Sequence, residues 1–162
     1  MVEIFFYHHK TLRIDDTLPT LLEKSLEKDW LVVVQATSER RLNALDEHLW
    51  AYEPGSFLPH GTARDPSPET QPIFLTCSHE NPNGADVRFF IEAAHVAPLL
   101  DGDAAPRERA ILMFDGEDET ELLDARRQWV ELRDAGHKLV YWQQDESGRW
   151  VAKAREPKEP KA

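Results

Sequence analysis

The run WLVVVQA, residues 30–36, leaves a chain like this few options. It is apolar and β-branched without interruption. A strand with one wet face alternates in polarity; a strand buried on both faces of a parallel sheet does not. The segments on either side of the run read as helices. DDTLPTLLEKSLEKDW (15–30) repeats Leu18, Leu21, Leu22 and Leu26 at helical spacing, with Asp15 or Asp16 and Pro19 near its start. SERRLNALDEHLW (38–50) has Ser38 as N-cap and Leu42, Leu45 and Leu49 as its apolar stripe.

The same alternation continues along the chain. VEIFFYHH (2–9), PIFLTC (72–77), VRFFIEA (87–93) and ILMF (111–114) read as strands. GTARDPSPETQ (61–71) reads as a proline-bearing loop. DETELLDARRQWVELRDAG (118–136) is a helix closed by Gly136. HKLVYWQQDESGRWVAKA (137–154) reads as a hairpin turning at 145–148. The expectation is an α/β fold: a single domain with a mainly parallel sheet flanked by helices, Rossmann-like, ending in a hairpin. The domain is expected over 1–152, and the charged residues 153–162, ending in REPKEPKA, are expected to be a disordered tail.

Charge and cysteine content narrow the function classes. A net charge of −11 over 162 residues argues against broad binding to a phosphate backbone. The single cysteine, Cys77, permits no internal disulfide and fits a reducing cytoplasm. No leader and no 18-residue apolar stretch is present, so no membrane contact is expected.

The chemistry-bearing motifs of α/β proteins are missing. There is no G-x-x-x-x-G-K-[ST], no G-x-G-x-x-G after the first strand and no G-x-S-x-G elbow, so no cofactor is expected. His8 and His9 are adjacent and would point to opposite faces of a strand. The other histidines are scattered, and no metal site is expected. Cys77, followed by Ser78 and His79 at a strand end, is the one candidate nucleophile, for a small hydrolase or transferase. The competing reading is a half-buried structural thiol. The carboxylates of FDGEDETE (114–121) suit a helix N-terminus.

Two candidate binding surfaces remain. With Leu122 at 0° and about 100° per residue, the last helix presents Leu132, Ala125, Trp129, Leu122, Val130 and Leu123 as a broad apolar face. Arg126 and Arg133 fall inside it, at about 40° and 20°. Their stems either snorkel along the sheet, or the pair forms a cationic pocket walled by Trp129, suited to a carboxylate beside an apolar group. The second surface is LDEHLWAYEPGSFLPHG (45–61), where Trp50 and Phe57 either plug a corner of the core or anchor a partner.

With its LDE-x-LW followed by SF-x-PH, that segment resembles the signature region of the chi subunit family of bacterial DNA polymerase III. The arginine helix followed by AGHKLVYW resembles the family's C-terminal helix and last strand. The resemblance covers about residues 1–150. It implies a non-catalytic accessory subunit in the cytoplasmic, nucleoid-associated replisome, touching DNA only indirectly. One surface would take the acidic C-terminal tail of single-stranded-DNA-binding protein, which ends in a Phe carboxylate. Arg126 and Trp129 match the family's tail-binding arginine and aromatic, with Phe114 and Asp115 beside them. Leu122 and Val130 stand where some members have lysines, and Arg133 is placed to compensate. A second surface would take the psi subunit and so reach the clamp loader. Trp50 and Phe57 match its positions, with Leu58 and Pro59 alongside. A helicase docking there in place of psi is the other reading. The hairpin extends past the family's usual end.

Overall fold

A computed structural model describes residues 2–51 and 58–158. Among them are eight strands and three α-helices: β1 Glu3–His9, α1 Ile14–Glu27, β2 Val32–Gln35, α2 Glu39–Ala51, β3 His60–Gly61, β4 Ile73–Thr76, β5 Val87–Phe90, β6 Arg109–Asp115, α3 Glu119–Asp134, β7 Lys138–Gln144 and β8 Trp150–Glu156. They form one sheet in the order β3-β4-β2-β5-β6-β1-β7-β8. Every neighbouring pair is parallel except the antiparallel β7–β8 hairpin. The α/β expectation and the terminal hairpin are therefore met.

Strand β2 is buried at every residue, as its unbroken apolar run requires. The alternation of β1 divides the core between two faces. Ile4 and Phe6 pack with Ala125 and Leu132 of α3. Tyr7 packs on the opposite face with Leu18 and Leu22 of α1 and Leu42, Leu45 and Leu49 of α2. Because α3 connects β6 to β7 and β1 lies between those strands, α3 crosses over β1. That crossing positions the candidate site.

Pro19 lies inside α1 and has no N–H to give the Asp15 carbonyl four residues back. His48 of α2 donates to that carbonyl through Nε2 at 2.7 Å, tying the two helices together.

Several boundaries differ from expectation. Strand β3 falls within a stretch read as loop; two residues carry no periodicity to detect. Strand β5 stops at Phe90 instead of 93, because Glu92 and Ala93 adopt φ of 54° and 57°. The Glu92 carboxylate there pairs with Arg41. Strand β8 runs to Glu156, so residues 153–156, expected to begin the tail, belong to the strand: 154–156 pair with β7 and Lys153 sits at a bulge. Residues 159–162 lie outside the described residues. Arg88 of β5 is completely buried. It donates to Gln35 Oε1 at 2.7 and 3.1 Å, to the Glu80 carbonyl at 2.7 Å and to the Ser78 carbonyl at 2.9 Å. No helix among the described residues is long and apolar enough to cross a membrane.

Candidate functional site

Helix α3 starts on Asp118, whose side chain accepts the Glu121 N–H at 3.0 Å, and ends before Gly136, which has φ +87°. Its buried side is narrower than the sequence pattern suggested. Ala125, Gln128 and Leu132 are buried, whereas Leu123 is 50% and Val130 43% exposed. The difference comes from Gln128. Its amide donates to the Ala93 and Ala94 carbonyls, and its Oε1 accepts the Val96 N–H at 2.9 Å. A polar residue that completes all these bonds can take a core position, and it turns the helix toward itself.

This rotation places Arg126 and Arg133 on the exposed rim instead of within the apolar face. Their neighbourhoods differ. Arg133 Nε lies 3.2 Å from Asp134 Oδ1, and Arg127 pairs with Asp124 at 3.5 Å. Arg126 has no carboxylate within 4 Å among the described residues. Its charge instead acts on His8 and Tyr141, two residues that no sequence pattern marked.

Those residues belong to an aromatic bed beside Arg126. Trp129 meets Phe6 edge-on at 5.2 Å and Tyr141 at 5.5 Å. Phe114 lies 6.1 Å from Tyr141 and 5.0 Å from His8, and is fully buried, so it supports the bed from below. His8 Nδ1 and Tyr141 Oη are hydrogen-bonded at 2.7 Å. Burial pushes the Tyr141 phenol up to about 12, with Arg126 acting against it. Burial, then the charges of Lys10 and Arg126, hold His8 below its usual value, with Glu117 and Asp115 opposing. Gly116 makes room for the ring: a Cβ there would lie 1.9 Å from His8 Nε2. Leu122 is half-buried at the edge of the same cluster. The arrangement presents one exposed guanidinium beside a half-buried aromatic floor. It can hold a carboxylate and pack an apolar group beside it.

The second predicted surface divides. Trp50 is 54% exposed, its ring 4.2 Å from that of buried His60. His60 Nδ1 donates to the Leu58 carbonyl at 2.6 Å, and its Nε2 lies 3.1 Å from Asp46. Leu58 is 2% exposed and belongs to the core, so it is not part of a surface; its carbonyl is fixed by His60 and its side chain is drawn inward. Pro59 is half-buried. Phe57 lies outside the described residues.

The candidate nucleophile is not activated. Partial burial and then Glu39 raise the Cys77 thiol above its usual value. Its nearest polar contact is Glu39 at 3.8 Å, and no hydrogen bond joins it to exposed His79 among the described residues. An activated thiol needs the opposite environment.

The C-terminal edge of the sheet, where α/β proteins commonly bind ligands, carries a cleft of about 430 Å³. Asp15, Glu92, Asp115, Glu117 and Glu121 line it, and Arg41 bridges Asp15 and Glu92. The backbone N–H groups of Lys10, Thr11 and Leu12 converge there, as in a phosphate-binding turn. All three donate to Gln144 Oε1, at 3.0–3.2 Å. An internal side chain thus takes the place of a ligand oxygen.

Comparison with known proteins gives two findings. A family described as DNA polymerase III chi subunit, HolC, matches residues 1–140. A protein of Rickettsia prowazekii (strain Madrid E), "Probable DNA polymerase III subunit chi", is 31% identical over 100 residues. That alignment spans 62% of this chain and 61% of the relative's length.

Proposed function

Because the chain belongs to the DNA polymerase III chi subunit family, we propose that it links the polymerase to coated single-stranded DNA by capturing the tail of single-stranded-DNA-binding protein. As a chi-family protein it is a polymerase accessory subunit. The finer reading rests on one observation: Arg126 is exposed, has no carboxylate partner among the described residues, and stands beside the aromatic floor of Trp129, Tyr141 and His8, where its charge acts on Tyr141 and His8. An acidic tail ending in a Phe carboxylate offers the complementary pair, an anion for the guanidinium and a ring for the floor. Phe114 and Leu122 support that floor; Arg133 adds charge at the rim.

Trp50 carries a second reading, because a tryptophan 54% exposed is the usual material of an interface anchor. In this reading it docks psi, and through it the clamp loader, or a helicase at the same place. Contact with DNA is second-hand, and the protein works in the cytoplasm at the nucleoid-associated replisome.

Titration with a synthetic acidic, Phe-terminated peptide tests the tail reading. Wild type is expected to bind at micromolar concentration. Loss of the charge-assisted hydrogen bonds in Arg126→Ala, at about 1.5–3 kcal/mol, weakens binding about ten- to a hundredfold with an unchanged melting temperature. Removing the terminal Phe has a comparable effect. Absence of binding by wild type refutes the reading. For the second surface, Trp50→Ala should lose a purified psi or helicase partner while keeping the tail peptide.

A further inference from the structure

On the sheet face opposite α3, between α1 and the terminal hairpin, lies a groove of about 240 Å³ that the tail reading does not use. Trp30, Trp142, Trp150 and Tyr7 line it, with Lys24 from the last turn of α1 and Lys28 at its C-cap. Tyr7 meets Trp150 edge-on at 4.7 Å and stacks offset on Trp142 at 6.3 Å. Two of the three tryptophans belong to chain beyond the segment that matches the family.

Three features of this groove point to a ligand. First, it contains a polar group without a partner. Among the described residues, Trp142 Nε1 is buried and has no hydrogen-bond acceptor. Buried polar groups are normally satisfied, and leaving one unpaired costs about 1–3 kcal/mol. Second, the lining has no carboxylate among the described residues, in a chain with 30 acidic residues against 19 Lys and Arg. Among the described residues, Lys24 and Lys28 have no acidic partner within 4 Å; Lys28 sits over the Trp30 ring at 4.6 Å. Arg109, also in the lining, is engaged by Glu3 at 2.9 Å. Third, the volume is below the range of about 300–1,000 Å³ of pockets for whole small molecules. It fits one large side chain.

We propose that this groove binds a short acidic segment of a partner polypeptide, seating one aromatic or large apolar side chain between Trp142, Trp150 and Trp30. The flanking carboxylates meet Lys24 and Lys28, and a carbonyl or carboxylate oxygen of the segment satisfies Trp142 Nε1. The lining is rich in Trp, Tyr and Arg, the residue types that dominate binding hot spots. The overall charge of −11 favours this occupant over a nucleic-acid strand.

Indole N–H resonances of ¹⁵N-labelled protein carrying Arg126→Ala report on this groove independently of the tail site. The probe is a dodecapeptide of alternating Asp and Glu with one central Phe. Its controls are the Phe→Ala peptide, the Asn/Gln peptide and a dT12 oligonucleotide. The Trp142 and Trp150 signals should shift at submillimolar probe. The shift should weaken at least tenfold in Lys24→Glu/Lys28→Glu, whose exposed positions leave the fold intact, and in both control peptides. Unmoved indoles at millimolar probe, an equal response to the neutral peptide, or a response to dT12 alone would each overturn the proposal.

Discussion

Gly116 sets the geometry of the candidate pocket although it touches no ligand. A methyl group there would collide with His8 Nε2 at 1.9 Å and with the His9 carbonyl at 2.9 Å, and the carbonyl cannot swing aside as a side chain would. Gly116→Ala should therefore cost about 1–3 kcal/mol by overpacking. It should also weaken the acidic peptide, because His8 must leave Tyr141; thermal melts and peptide titration check both effects. Glu121 makes a pH prediction. Burial raises its pKa from 4.5 to about 7, against the Asp115 N–H that it accepts. Between these values the native state holds the proton more tightly than the unfolded state, so this group's contribution to stability falls as pH rises through 7. Glu121→Gln keeps the acceptor and removes the charge, so it should melt above wild type at pH 8 and show no advantage at pH 4. His8 has the opposite sign. Its pKa is lowered, so its contribution is present above the ordinary value of 6.5 and is lost as pH falls below it. In the bound state a protonated His8 beside Arg126 would favour an anion, so peptide affinity should rise below pH 6.5, and His8→Gln should flatten that profile.

At the scale of the element, the turn after β1 is held by one side chain from β7. Gln144 is 2% exposed and accepts three successive backbone N–H groups. Gln144→Leu would leave them without that acceptor and should destabilise by about 2–3 kcal/mol. Amide exchange at residues 10–12 should speed up before exchange elsewhere in the sheet. Nothing in HHKTLRIDD announced this arrangement, because the acceptor lies more than 130 residues away. Helix α3 teaches the same lesson. Its limits and its Gly136 stop were legible from local chemistry. The side it buries was not, because apolarity alone placed Val130 and Leu123 inward, while Gln128 reached three loop groups that only the folded chain brings close.

For the molecule as a whole, net charge separates recognition of a protein tail from direct DNA contact. If the proposed tail reading holds, a chain at −11 with a carboxylate-free arginine beside an aromatic floor would capture an acidic peptide locally and still repel a phosphate backbone. Fluorescence anisotropy with dT oligonucleotides alone at 0.15 M salt should show no binding. With oligonucleotide coated by single-stranded-DNA-binding protein, anisotropy should rise, and Arg126→Ala should abolish the rise. The fold puts the Arg126 surface and the Trp-lined groove on opposite faces of one sheet, so a ligand on one would leave the other open.

Sequence by itself determined the α/β class, the central buried strand, the three helices, the Ser38 cap of α2, the Gly136 stop of α3 and the hairpin. Each is written in a contiguous stretch whose hydrophobic period, capping residue or motif is local. Tertiary structure alone decided that Arg126 escapes the carboxylates that engage its neighbours, that His8 and Tyr141 complete its surroundings, and that Leu58 is core. It also carried β8 on through Glu156, into residues expected to begin the tail, and set Trp30 beside Trp142 and Trp150. Those outcomes depend on which strands become neighbours, and pairing between strands far apart in the chain leaves no periodic trace in either one.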